Sequence, residues 1–121
     1  MAITATPWRA SFCLTCFFVL RALTESADSR VADVAAKSLK EVAYHARRSA
    51  DVVVRLGDGT QESHQRMQQA MDDIWPYAGE LFVDDAVTLR LAEAGIVPEM
   101  AGLLPDWRAH VRDVLNEATM T

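Results

Sequence analysis

The chain has 121 residues, half of them hydrophobic, with only five glycines and four prolines. That length holds one domain with a modest core, not an enzyme with two substrate-binding lobes, and the scarcity of β-branched runs, Gly and Pro points to an all-α protein. A net charge of −5, from 17 acidic and 12 scattered basic residues, argues against a nucleic-acid binder, which must neutralise phosphates.

Residues 1–9 show no periodicity and end in Pro7, Trp8 and Arg9, which predicts an irregular N-terminus through residue 10. Residues 10–23 then read as a helix whose apolar core, 11–20, is too short for a bilayer of about 30 Å. As a secretory h-region it fails as well, because Arg9 is the only positive side chain before it, Arg21 follows at once, and no small-x-small cleavage site stands after it. A helix apolar nearly all round must be covered by other helices, more than this chain supplies. Phe12, Phe17, Phe18 and Leu20 are therefore expected to meet a partner. Cys13 and Cys16 form a Cys-x-x-Cys without a second pair or a βαβ context, so they read as core sulfurs rather than a redox or metal site.

Residues 28–60 carry the longest helical pattern. Stepping 100° per residue from Val42 places Val31, Ala35, Ser38, Leu39, Ala46, Ser49, Val53 and Leu56 within about 60° of one line, a continuous buried seam. Lys37, Lys40, Tyr44, Arg47, Arg48 and Arg55 lie on or near the opposite side, and Lys37/Glu41, Arg47/Asp51 and Asp51/Arg55 are spaced to pair there. Asp28 or Ser29 suits the N-cap, Gly57 the left-handed residue past the end, and Asp58 and Gly59 a turn. The small residues Ala35, Ser38, Ala46 and Ser49 let a neighbouring helix approach closely.

Thr60 is placed to cap a second long helix over 61–82, in which Met67, Met71, Ile74, Ala78 and Leu81 make a stripe facing the first. Pro76 should kink that helix or split it near Trp75. Asp84 or Asp85 caps a short helix over 86–94 closed by Gly95, and 96–104 is a connection around Pro98. Pro105 starts a last helix with Trp107, Val111, Val114, Leu115 and Ala118 on one face, a pattern still helical at Thr121.

Candidate chemistry is sparse. Glu41 and His45 lie four apart near the border of the seam, where they are weak candidates for a shared metal. Di-iron carboxylate bundles use Glu-x-x-His pairs from two helices, and in that spacing Glu41 is followed by Tyr44; Gln61 precedes His64 and Trp107 precedes His110 in the same way. Asp72/Asp73 reads as a solvated face, Asp84/Asp85 as capping, and Arg47 and Arg48 as solvated rather than phosphate-binding. Gly57-Asp58-Gly59 lacks the lysine and strand context of a phosphate loop. No catalytic and no cofactor-binding residue emerges.

Several ordered segments carry a resemblance: Lys40-Glu41-Val42-Ala43-Tyr44-His45, Arg55-Leu56-Gly57-Asp58-Gly59-Thr60, Arg66-Met67-Gln68-Gln69-Ala70, Ile74-Trp75-Pro76-Tyr77-Ala78-Gly79-Glu80-Leu81-Phe82 and Asn116-Glu117-Ala118-Thr119. Over residues 11–121 the chain resembles the family of C subunits of the ring-1,2-phenylacetyl-CoA epoxidases of phenylacetate degradation. Members of that family are longer, so the chain resembles a fragment. The resemblance implies an incomplete ferritin-like bundle of about four to five helices over 11–121. It also implies a cytoplasmic hetero-oligomer in which the catalytic A subunit holds the di-iron centre and this chain holds no cofactor. Two other readings stand beside it: a small protein that completes a di-iron site by self-association through Glu41 and His45, and a non-functional truncated product.

Overall fold

The computed structural model describes the backbone of residues 2–120 and the side chains of residues 9–120. Five α-helices follow one another: α1 (Ala2–Leu23), α2 (Ser29–Gly57), α3 (Gln61–Ala78), α4 (Ala86–Glu93) and α5 (Leu104–Glu117), with 3-10 turns at Gly79–Phe82 and Met100–Leu103. No strand occurs among the described residues, so the all-α expectation holds. The α1–α2 pair is the most extensive contact, and α3 and α5 lean on it.

The start of the chain departs from expectation. Residues 2–10 are not irregular; they are the first turns of α1. The buried face begins before the apolar run does, because Ala10 packs on the cluster of Val53, Met67, Ala118 and Met120. Along the same face Leu14 and Phe18 are buried, and buried Thr15 satisfies its hydroxyl by donating to the Ser11 carbonyl at 2.9 Å. That back-bond lets a polar residue sit in an apolar helix without an unpaired group.

The seam of α2 lies as its periodicity predicts. Ala35, Ala46 and Val53 are buried, and Lys37, Lys40, Tyr44, Arg47, Arg48 and Arg55 are all exposed. Asp51 pairs with Arg55 at 3.2 Å and with Arg48, rather than Arg47, at 3.8 Å, while Glu41 reaches His45 instead of Lys37. Such exposed pairs contribute only tenths of a kcal/mol. The N-cap is Asp28, whose carboxylate accepts from the Arg30 N–H at 3.0 Å.

Gly57 does not play its expected part. It is the last helical residue of α2 and is not left-handed; Gly95 is the described glycine with positive φ, at 76°. What Gly57 supplies is space. A Cβ there would lie 2.6 Å from the Ala118 carbonyl oxygen and 2.8 Å from its Cβ, so the missing side chain lets the end of the chain rest on the end of α2.

α3 begins at Thr60, whose hydroxyl accepts from the Ser63 N–H at 3.1 Å. It runs through Pro76 to Ala78 and is not split near Trp75. Pro76 and Asp72, whose carbonyl loses its donor, are both on the exposed side, where solvent replaces that bond. The inner stripe of Met67, Ala70 and Ala78 therefore continues unbroken. At Gly79 the chain tightens into a 3-10 turn, leaving Leu81 exposed and burying Phe82 instead.

Asp85 caps α4 by accepting from the backbone N–H of Thr88 at 2.8 Å and its hydroxyl at 2.9 Å. Asp84 turns the other way and accepts from the Met100 and Ala101 N–H groups at 2.7 and 3.0 Å, fixing the second 3-10 turn from sixteen residues away. Gly95 closes α4 with paired bonds, Gly95 N–H to Ala92 and Ile96 N–H to Leu91, each 3.0 Å.

α5 starts with Pro105 in its first turn, as predicted, but ends at Glu117 and does not run on toward Thr121. The end is the same paired closure, Thr119 N–H to Asn116 and Met120 N–H to Leu115, with Thr119 at φ 59° where a glycine would be usual. This bend turns Met120 into the core beside Val53 and Met67. Thr121 lies outside the described residues.

Candidate functional site

The residues singled out for metal chemistry sit on the wrong side of α2. The Glu41 and His45 side chains are 80% and 55% exposed, with Nε2 and Oε1 3.7 Å apart, a surface pair that is ionic when the imidazole is protonated. Tyr44, which takes the place of a ligand three after Glu41, is exposed too and meets the His45 ring edge-on at 5.7 Å. The other imidazoles have structural neighbours: His64 Nδ1 lies 2.7 Å from the Gly57 carbonyl, and the His110 ring packs edge-on 6.2 Å from Phe18. Among the described residues no group of three or more His, Cys, Asp or Glu side chains converges as metal ligands would. A di-iron centre needs inward carboxylates from several helices, and these residues do not fit one.

The carboxylate pairs behave as their positions dictate. Asp72 and Asp73 accept from Gln68 and Gln69 one turn earlier, at 3.1 and 3.0 Å, on an exposed face. Hydrogen bonds from the Thr88 backbone and hydroxyl hold the Asp85 carboxyl below its usual range, the signature of a cap. Cys13 and Cys16 are both free and half-buried; burial, and then the neighbouring Cys13, push the Cys16 thiol up, away from the reactive thiolate.

The four α1 residues expected to meet a partner divide. Phe18 is 5% exposed and belongs to the chain's own core with Leu14, Ala78, Phe82 and Trp107. Arg21 lies over it, guanidinium carbon 4.8 Å from the ring centre, and reaches Asp106 at 3.8 Å, so α1 and α5 are tied above the cluster. Phe17 and Leu20 are half-buried, and Phe12 alone of the four is half exposed. Phe18 is therefore unavailable as a contact residue: the 3-10 turn brings Phe82 to it, which helical periodicity does not foretell.

What the sequence conceals is an opening beside α5. That helix is held mainly near its ends, by Trp107 at 3% exposure and by Ala118 at 0% just past its last turn, while Val111, Val114 and Leu115 between them are only half covered. On one side a groove of about 570 Å³ opens between α5 and α2, floored by Leu14 and Phe17 of α1. On the other, a cleft of about 340 Å³ separates α5 from α3 beside Trp75, whose ring stacks on Trp107 at 6.1 Å. Beneath runs an apolar cavity of about 50 Å³, and the buried Trp107 Nε1 has no hydrogen-bond partner among the described residues. No helix among the described residues is long and apolar enough to cross a membrane.

Helices packed round a shared apolar interior but open along one of them make an all-α helical bundle, the architecture expected of a ferritin-like protein. The sequence matches the phenylacetic acid catabolic protein family over residues 12–121. It is 42% identical over 98 residues, covering 81% of this chain, to the C subunit of the 1,2-phenylacetyl-CoA epoxidase of Escherichia coli strain K12. The chain belongs to the phenylacetic acid catabolic protein family. It spans about 40% of the length of that curated relative.

Proposed function

We propose that this chain is a non-catalytic supporting subunit, or a piece of one, of a multicomponent cytoplasmic oxygenase that epoxidises the ring of phenylacetyl-CoA in aerobic phenylacetate catabolism. Its partner is the related, catalytic A subunit, which carries the di-iron centre. The carrying observation is the outward placement of Glu41, Tyr44 and His45: the residues of α2 that come nearest to a metal-ligand spacing form a solvated pair beside an exposed tyrosine. The contact surface centres on exposed Phe12 and on the half-covered faces of α5, since exposed apolar area seeks a partner.

The test is light scattering on a sizing column, with the chain alone and mixed with the catalytic subunit from the same source. A mixed complex of defined mass, containing iron that stays with the catalytic subunit, is expected. A catalytic subunit that shows no binding, and equal activity with and without the chain, would refute the proposal.

A further inference from the structure

The stretch from 83 to 102 leaves the bundle and returns to it. At its base the flanking side chains Phe82 and Trp107, 4% and 3% exposed, pack in one cluster with ring centres 5.2 Å apart. Just outside that pair the Asp84 carboxylate accepts from the N–H groups of Met100 and Ala101, one on each oxygen, and so clasps the two arms of the excursion together. No described residue from 83 to 102 is buried, and α4, in the middle of the stretch, is the helix without an extensive contact to another element. Its Val87, Leu89 and Leu91 are exposed. The outer end is tied to the turn between α1 and α2: the Ser26 hydroxyl donates to the Ile96 carbonyl at 2.6 Å, and the Ala27 N–H donates to the Gly95 carbonyl at 2.8 Å.

We infer that residues 85–99 are a strap that releases from the bundle as a unit, with Asp84 as its hinge clasp and Ser26 and Ala27 as its latch. Burial holds the larger helices at the level of global stability, and the strap has little of it, so its closed state depends on a few hydrogen bonds. Each such bond favours the closed state by about fivefold. Release also melts α4. Eight residues are too few for a helix to persist alone in water, so breaking the latch and losing the helical bonds are one event. The base at Phe82 and Trp107 belongs to the core and stays shut, so the chain opens at the α1–α2 turn while the seam of α2 remains intact. Latch and clasp are contacts within this chain, and the strap is therefore independent of the supporting role proposed above.

The experiment is amide hydrogen exchange on the full chain, labelled with nitrogen-15 and followed by NMR from zero to moderate urea. After correction for intrinsic rates, the N–H groups of Leu89, Ala94, Gly95 and Ile96, with that of Ala27 across the latch, are expected to exchange together, about a hundredfold faster than Val53 in α2. Their urea dependence should be weak, since opening the strap exposes little surface. Met100 and Ala101, held by the clasp, should exchange more slowly than the strap. Ser26→Ala removes one latch bond and should speed the strap amides about fivefold with Val53 unchanged. Because Ser26 also accepts from the Asp28 N–H at 3.2 Å, Gly95→Ala is the second variant: it leaves Ser26 alone, brings its Cβ only into ordinary contact with Ala27 at 3.4 Å, and forces a side chain into φ 76°. It should speed the same amides about tenfold. Strap amides that exchange only with global unfolding, an Ala27 amide that stays protected while α4 exchanges, Met100 and Ala101 exchanging as fast as the strap, or variants that speed Val53 equally would overturn the inference.

Discussion

Replacing Gly57 with alanine tests the packing of the whole C-terminal end. At an unobstructed helical position, alanine for glycine stabilises by about 0.5–1 kcal/mol, because the unfolded chain loses conformational freedom. At Gly57 the new Cβ would lie 2.6 Å from a backbone oxygen of Ala118, 2.8 Å from its Cβ and 3.0 Å from the Met120 sulfur. The sulfur can swing aside, but the carbonyl is held in the turn that closes α5, so the turn must lift off α2. Overpacking of this kind costs about 1–3 kcal/mol, and its backbone character puts Gly57→Ala toward the upper part of that range. Set against the propensity gain, a net loss of about 1–2 kcal/mol is expected, a fall in Tm of roughly 4–8 °C for a domain of this size. Thermal and urea unfolding followed by circular dichroism measure it. Gly79→Ala is the control: its φ is −76° and nothing lies within 4 Å of the added Cβ, so it should rise slightly in stability. Gly57→Asn separates the two possible reasons for a glycine here. A left-handed cap tolerates asparagine, whereas a close approach penalises it more than alanine. Gly57→Ala as stable as the parent, or Gly57→Asn better tolerated than Gly57→Ala, would refute the close-approach account.

Thr119→Gly should stabilise the protein by about 1 kcal/mol, since it removes a β-branched side chain from the left-handed region at φ 59° and sacrifices only a weak 3.4 Å contact from its hydroxyl to the Gly57 carbonyl; chemical denaturation reads the gain. Phe18→Ala should cost about 3–5 kcal/mol, whereas Phe12→Ala, half exposed, should change stability by no more than about 0.5 kcal/mol and act instead on partner binding in the column assay. For Asp85 the folded-state pKa lies below the unfolded one, so its contribution is fully present above the ordinary carboxylate range and is lost as pH falls through the folded value. Asp85→Asn keeps a cap but removes that titration, so the Tm of the variant should fall less than the parent's on the acid side of neutrality.

The helices are legible in the sequence because each carries local signals at its own ends and a single dominant period. Asp28, Thr60, Asp85 and Gly95 do locally what their residue types favour, and the seam of α2 follows from sidedness alone. Several of the departures share a cause, dependence on a residue far along the chain. Gly57 is glycine because of Ala118, sixty-one residues later, and Asp84 serves a turn at Met100 and Ala101 rather than its own helix. Thr119 occupies a conformation its side chain disfavours, because the bend there delivers Met120 to a buried place beside Met67. Ala10 reads in sequence as part of an irregular end, yet it lies in α1 and packs against the cluster of Val53 and Met67.

The candidate site is the least legible part for a related cause. A metal centre or a nucleophile announces itself through residue types at fixed spacing, and here Glu41 and His45 approach that spacing while lying on the solvent face. A groove announces nothing, because it consists of what α5 fails to cover. Ala46 reads in sequence as close packing between helices, but with Ala43 and Ala50 it lines a wall from which α5 stands back. Asp113 and Glu117 look like any charged pair on an outer face until the structure sets them on the rim of an apolar opening, with no ion pair to either among the described residues. Exposed carboxylates are well solvated and cost the isolated chain little, so the half-covered apolar faces of α5 are what distinguish this surface. In the supporting role proposed above, substitutions at exposed positions beside these faces should alter association while leaving the folded chain intact, whereas truncation of Val111, Val114 or Leu115, which pack on the core clusters, should also cost stability.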